Sequence, residues 1–198
     1  MAIVESLERP LPRPKQNLLG YASARVIEAL LEGLVALRFL EEGYSRNAAG
    51  KAFQAWKALL AALLALEKDK ILEKLGDEEQ RKWLLEVGIP RVPSGKLKPL
   101  ARLLERTGYR GIAAYTAVAL DLHDYQYHGP DPSGELSKYP DYQEAIEDIK
   151  DILWILVGLV EEKAKPKLQK ASMWSKEHEE ALNKLRERLE VVEKTTKP

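Results

Sequence analysis

The chain has 198 residues, 45% hydrophobic and 31% charged, and its 31 basic side chains are matched by 31 acidic ones. That size and balance fit one globular core, or one core with an appendage, and exclude a disordered chain. Zero net charge argues against broad binding of nucleic acid or anionic membrane, leaving only local patches, and the lack of cysteine removes disulfides, thiolate metal sites, iron–sulfur clusters and cysteine nucleophiles.

Leu and Ala dominate and aromatics are only 7%, which favours helices. No apolar run reaches the roughly 18 residues of a membrane span. The opening MAIVESLERP carries Glu5 and no apolar stretch, so it is not a signal peptide. The expectation is a cytoplasmic protein with no membrane partner. Abundant Lys and Glu beside few Asn, Gln and Met also suggest a heat-adapted source.

Residues 1–14 end in Pro10, Pro12 and Pro14 and read as an extended N-terminal arm, with Val4 and Leu7 able to dock on the body. A helical bundle domain is expected over 15–165. Its first helix runs from Asn17, a fitting N-cap, to Glu42, with Val26, Leu30, Leu34 and Leu37 at helical spacing and Gly43 closing it.

A second helix starts near Ser45, and so short a link implies an antiparallel hairpin. This segment, Arg46 to Leu66, carries the strongest helical signal of the chain. Ala48, Ala52, Ala55, Leu59, Ala62, Leu63 and Leu66 share one arc with Trp56 at its edge, wide enough to need cover from more than one side. Asn47, Lys51, Gln54 and Ala58 line one flank; Arg46, Phe53 and Lys57 line another. Lys51 and Lys57 read either as anion contacts or as side chains snorkelling at the edge of the packed face, and the latter is commoner. The helix has the composition to continue through Ile71 and Leu75 to Gly76.

Asp77 to Gln80 has capping-box spacing and opens a short helix through Trp83, Leu84 and Val87. Residues 88–99, with Pro90, Pro93, Gly95 and Pro99, read as a loop, and 97–105 as a short helix. Ser94-Gly95-Lys96 lacks the first glycine, the hydroxyl and the preceding strand of a phosphate loop. A third long helix is expected from Gly108 to Gln126, then a Gly/Pro/Asp loop over 129–134. The next helix takes Pro140 as its first residue and ends at Pro166. After a polar break over 164–174, Ser175 caps a last helix in which Leu182, Leu185, Leu189 and Val192 make a heptad stripe and Glu180 can pair with Lys184; residues 166–198 read as a C-terminal extension.

Asp121-Leu-His-Asp-Tyr-Gln-Tyr-His128 is the one concentrated polar and aromatic stretch. Asp121, Asp124 and His128 share a helix face and make a candidate three-ligand metal site; His123 points away, onto the apolar arc. His123, His128 and Asp124 are the candidates for catalysis, and Lys51 and Arg110 for anion contact. Each has a plainer reading as a solvated helix end, a hydrogen-bonded core histidine or a surface cation. His178 lies in a charged helix and reads as exposed. Lys96, Lys98, Arg102, Arg106 and Arg110, with Tyr109 interleaved, form a basic stretch that a nucleic acid could use. No cofactor motif is present.

GYSRNAAGKAFQAWKALLAALLAL at 43–66, with Gly50, Lys51, Ala52 and Trp56 its most specific part, resembles the PaREP family of archaeal helical proteins. LDLHDYQYHG at 120–129 fits the same outline, and the resemblance covers roughly residues 18–163. The family is similar to HEPN helical bundles, so the resemblance implies an all-α antiparallel bundle, a homodimer, and a partner such as a nucleotidyltransferase in a toxin–antitoxin-like pair, or a nucleic acid. HEPN ribonucleases carry Arg-x(4–6)-His; here Arg110 lies too far before His123, and neither His128 nor His178 has an arginine at that offset. The expectation is therefore a noncatalytic binding or assembly protein. The rival is a divergent ribonuclease or metal-dependent phosphate-transfer enzyme using His123, Asp124 and His128.

Overall fold

A computed structural model describes residues 7–195 as an all-α antiparallel bundle with no strand among them. The first helix, α1 (Leu18–Glu41), starts where the Asn17 side chain accepts a hydrogen bond from the Gly20 amide at 2.8 Å. It turns back at once into α2 (Ser45–Leu66). The two lie along each other, and α2 also meets α6 (Leu97–Glu105), α7 (Ile112–His128) and α8 (Tyr142–Leu159).

With neighbours on several sides, α2 is buried nearly all round. Phe53 and Ala58, on its expected polar flanks, are as covered as the Leu and Trp arc. The eight Ala side chains that are buried between residues 48 and 65 allow the helices to approach closely, while Trp56, Leu59 and Leu63 fill the space between them. By composition alone α2 is long and apolar enough to cross a membrane, with mean hydropathy 1.2, but 78% of that window is buried inside the protein. It is the central core helix.

Several boundaries differ from the sequence reading. The second helix breaks at Glu67, and α3 (Lys68–Lys74) follows it. The third long helix starts at Ile112 rather than Gly108. Asp141, not Pro140, begins the next one: its carboxylate caps the Gln143 and Glu144 amides, and Pro140 precedes the cap.

The larger corrections concern Pro90 and Pro166. Residues 88–99 were expected to form a loop, yet α4 (Glu78–Trp83) runs through a π-turn (Leu84–Gly88) into α5 (Ile89–Arg91). Likewise Pro166 does not end α8: a π-turn (Val160–Ala164) leads into α9 (Lys165–Lys170), so much of the expected polar break is helical. The cause is shared. A proline in a regular helix loses a hydrogen bond and pushes against the carbonyl four residues earlier. In both places the preceding turn is widened, with the Ile89 amide donating to Leu84 O and the Lys165 amide to Val160 O, which makes room for the ring.

The last helix, α10 (Lys176–Thr195), packs on α1 and α8 with Leu182, Leu185, Leu189 and Val192 buried. Glu180 pairs with Lys176 at 3.3 Å, in place of the Lys184 partner read from spacing. In the N-terminal arm Leu7 packs against the core and Arg9 reaches Glu177 at 3.3 Å; Val4 lies outside the described residues.

His178, expected at the surface, is only 3% exposed. The Ser175 amide donates to its Nδ1 at 3.1 Å, so the ring proton sits on Nε2, 3.1 Å from the Ser23 carbonyl that accepts it. Burial holds its pKa below the ordinary value of 6.5. The folded chain therefore binds fewer protons at this ring than the unfolded chain does, and stability falls as the pH drops below about 6.5. Urea midpoints taken from neutral to about pH 5 are expected to decline, and His178→Gln, though less stable at neutral pH, is expected to flatten that part of the slope. An unchanged slope in the variant would show that His178 is not the titrating group.

Candidate functional site

The two most distinctive stretches of the sequence meet at one place. Arg46, at the start of α2, donates through Nε to the Gln126 carbonyl at 3.1 Å and through its guanidinium to the Tyr127 carbonyl, closing the C-terminal end of α7. Ser45 Oγ and the buried Tyr125 hydroxyl are 2.8 Å apart. Beside this junction runs an open groove of about 630 Å³ between α1, α2 and α7. Asn47, Lys51 and Gln54 form its α2 wall, Phe39 stands on α1, and Gln126 and Tyr127 close the far side.

Gly50 leaves the space that the Gln126 side chain enters: a Cβ there would stand 2.0 Å from Gln126 Oε1. Asn47 and Gln54 are exposed and make no side-chain hydrogen bond among the described residues. Tyr127 is 63% exposed. Lys51 meets both oxygens of Glu32, at 2.9 and 3.2 Å. Its charge is thus already answered inside the groove.

The residues singled out on α7 are not gathered there. His123 stacks on Phe53 with ring centres 4.0 Å apart, has Tyr127 edge-on at 5.3 Å, and is 3.1 Å from Gln126 Nε2 through Nδ1. The amide donates to Nδ1 in this arrangement, which places the ring proton on Nε2. Burial lowers the pKa of His123, against a smaller upward pull from Asp124. Asp121 is engaged by Lys138 at 2.6 Å. Asp124 and His128 are exposed, and no group of three or more metal-ligating side chains forms among the described residues.

Arg110 is exposed and precedes the N-terminus of α7, whereas the groove lies at the C-terminal end of that helix. Tyr109 is not interleaved with the basic stretch: it is buried and donates to Glu67 at 2.7 Å. Of the groove residues, Asn47, Lys51 and Gln54 already shared a flank on the helical wheel. Phe39, Gln126 and Tyr127 are added only by the packing of α1 and α7 on α2.

The model of the archaeal PaREP1/PaREP8 family matches residues 24–150, more than half of the chain, from the first turns of α1 into α8. Both walls of the groove lie inside that match. No curated protein and no solved structure matches the chain.

Proposed function

The chain belongs to the archaeal PaREP1/PaREP8 family, and from that premise we propose that it is a noncatalytic binding and assembly protein, a HEPN-like bundle acting as a homodimer. The observation that carries this reading is the α1–α2–α7 groove, whose exposed groups are those of recognition: the amides of Asn47 and Gln54 and the ring and hydroxyl of Tyr127. With Lys51 paired to Glu32 and Arg46 committed to helix-end carbonyls, the groove keeps little free positive charge. That favours a polypeptide partner, such as a nucleotidyltransferase-like protein, over nucleic acid. His123 is held against Phe53 and Gln126, while Asp121 is taken by Lys138, so the groups of the catalytic alternative are turned to separate tasks.

The test is sedimentation at micromolar concentration combined with co-purification from the native host. A dimer that retains one partner protein is expected. Joint replacement of Asn47, Gln54 and Tyr127 by alanine is expected to weaken that association at least tenfold with the helical circular dichroism unchanged. A monomer with no co-purifying partner overturns the proposal. So does RNA cleavage by the wild type that vanishes in His123→Ala.

A further inference from the structure

A second surface shares no lining residue with that groove. Between α4 and α6 lies an apolar hollow of about 420 Å³ whose accessible apolar lining is Trp83, Pro99 and Leu103, set over the buried Leu75, Leu84 and Leu100. Trp83 forms one wall and is 37% exposed. The indole rests on a glycine, since a Cβ at Gly88 would stand 3.0 Å from the ring. This wall is continuous with the π-turn Leu84–Gly88, a helical irregularity that recurs at functional sites.

The solvent-facing side of α6, next to that lining, carries a cationic ridge. Lys98, Arg102 and Arg106 follow at four-residue intervals, so they line one face of the helix and its end, and Lys96 stands at the hollow itself. All four are exposed and make no ion pair or side-chain hydrogen bond among the described residues. The α4 side is mixed, with Glu79 and Lys82 both exposed.

We propose that this hollow docks an acidic amphipathic helix of a partner protein, with its apolar side chains on Trp83, Pro99 and Leu103 and its carboxylates along Lys96, Lys98, Arg102 and Arg106. A helix laid in a groove needs what the surface offers: an apolar trough for anchors three and four residues apart, and charge on one side to set the direction. A nucleic acid would use the cations but leave the apolar hollow unfilled, with a single ring to stack on. The ridge being one-sided, the occupant's acidic flank faces α6.

Fluorescence anisotropy on the full chain tests this with three labelled probes: a leucine-striped helical peptide with a glutamate flank, the same peptide with a lysine flank, and a single-stranded oligoribonucleotide. The glutamate-flanked peptide is expected to bind most tightly and to lose affinity as salt is raised. The exposed double variant Lys98→Glu/Arg102→Glu, checked for fold by circular dichroism, is expected to weaken it at least tenfold and to prefer the lysine-flanked peptide instead. Trp83→Ala is expected to weaken both peptides. Equal binding of the two peptides, no binding of either, or tighter binding of the oligonucleotide overturns the proposal. Self-association of the wild type that Trp83→Ala abolishes also overturns it, because the occupant is then a second copy of the chain. Failure here leaves the Asn47, Gln54 and Tyr127 variant to decide the proposed function separately.

Discussion

Replacing Trp56 by alanine is expected to lower the unfolding free energy by about 3–5 kcal/mol, as large aromatic deletions in a packed core do. The indole is fully buried at the middle of α2, and its Nε1–H donates to Thr116 Oγ1 on α7 at 3.0 Å. The alanine variant loses both the packing and the link between the two helices that wall the groove. Trp56→Phe separates the two contributions: it keeps most of the apolar volume and removes the hydrogen bond, whose net worth is about 1 kcal/mol. Thr116 still donates to the Ile112 carbonyl at 2.7 Å, so its hydroxyl is not stranded. Urea unfolding of the three proteins measures the series. A domain's whole margin is about 5–15 kcal/mol, so the alanine variant should be close to its limit at elevated temperature. A loss below about 1 kcal/mol would mean that α2 is not the interior helix, since surface substitutions lie within that range.

The central hairpin was legible in the sequence because each of its signals is local. Asn17 caps, Gly43 terminates, and the Ala/Leu/Trp arc repeats at the helical period over six turns. What escaped the sequence depends on groups far away along the chain. His178 looked like one polar residue in a charged helix; it is buried because the Ser23 carbonyl, 155 positions away, accepts from its Nε2 while the Ser175 amide donates to its Nδ1. Pro90 and Pro166 read as helix stops by a rule that holds for regular turns, and a single extra residue in the turn before each one suspends the rule. The candidate site divides along the same line. The Asn47, Lys51 and Gln54 flank could be drawn on a wheel. That Gly50 is a contact point for α7, and that the opposing wall is Gln126 and Tyr127 rather than the histidines, follows only from how the helices cross.

Glu67 tests how the ends of those helices are held. It sits 3% exposed at the break between α2 and α3 and draws together three parts of the bundle: the Tyr109 hydroxyl at 2.7 Å, Lys167 on α9 at 3.0 Å and Lys70 on α3 at 3.2 Å. Burial alone would raise its pKa, but the hydrogen bonds from Tyr109, Lys167 and Lys70, with the Lys167 charge, outweigh burial and hold it below 4.5. Tyr109 is raised correspondingly, first by burial and then by donating to the carboxylate. Glu67→Ala strands a buried hydroxyl, at about 1–3 kcal/mol, and removes one packed methylene at about 0.8 kcal/mol, for an expected total of roughly 3 kcal/mol. The lysines add little, because both reach solvent and can swing into it. Glu67→Gln should cost less, its amide oxygen still accepting from Tyr109, and the cycle of Glu67→Gln with Tyr109→Phe should show coupling of about 0.5–3 kcal/mol. The pH dependence has a fixed sign. With the folded pKa depressed, the unfolded chain binds more protons, so the Glu67 contribution is complete above about pH 4.5 and is lost as the pH falls below that value. Glu67→Gln should therefore lose less stability than the wild type between about pH 5 and pH 3, and an identical slope in the two proteins would mean that the carboxylate is not held by the contacts that link the α2–α3 break to Tyr109, ahead of α7, and to α9.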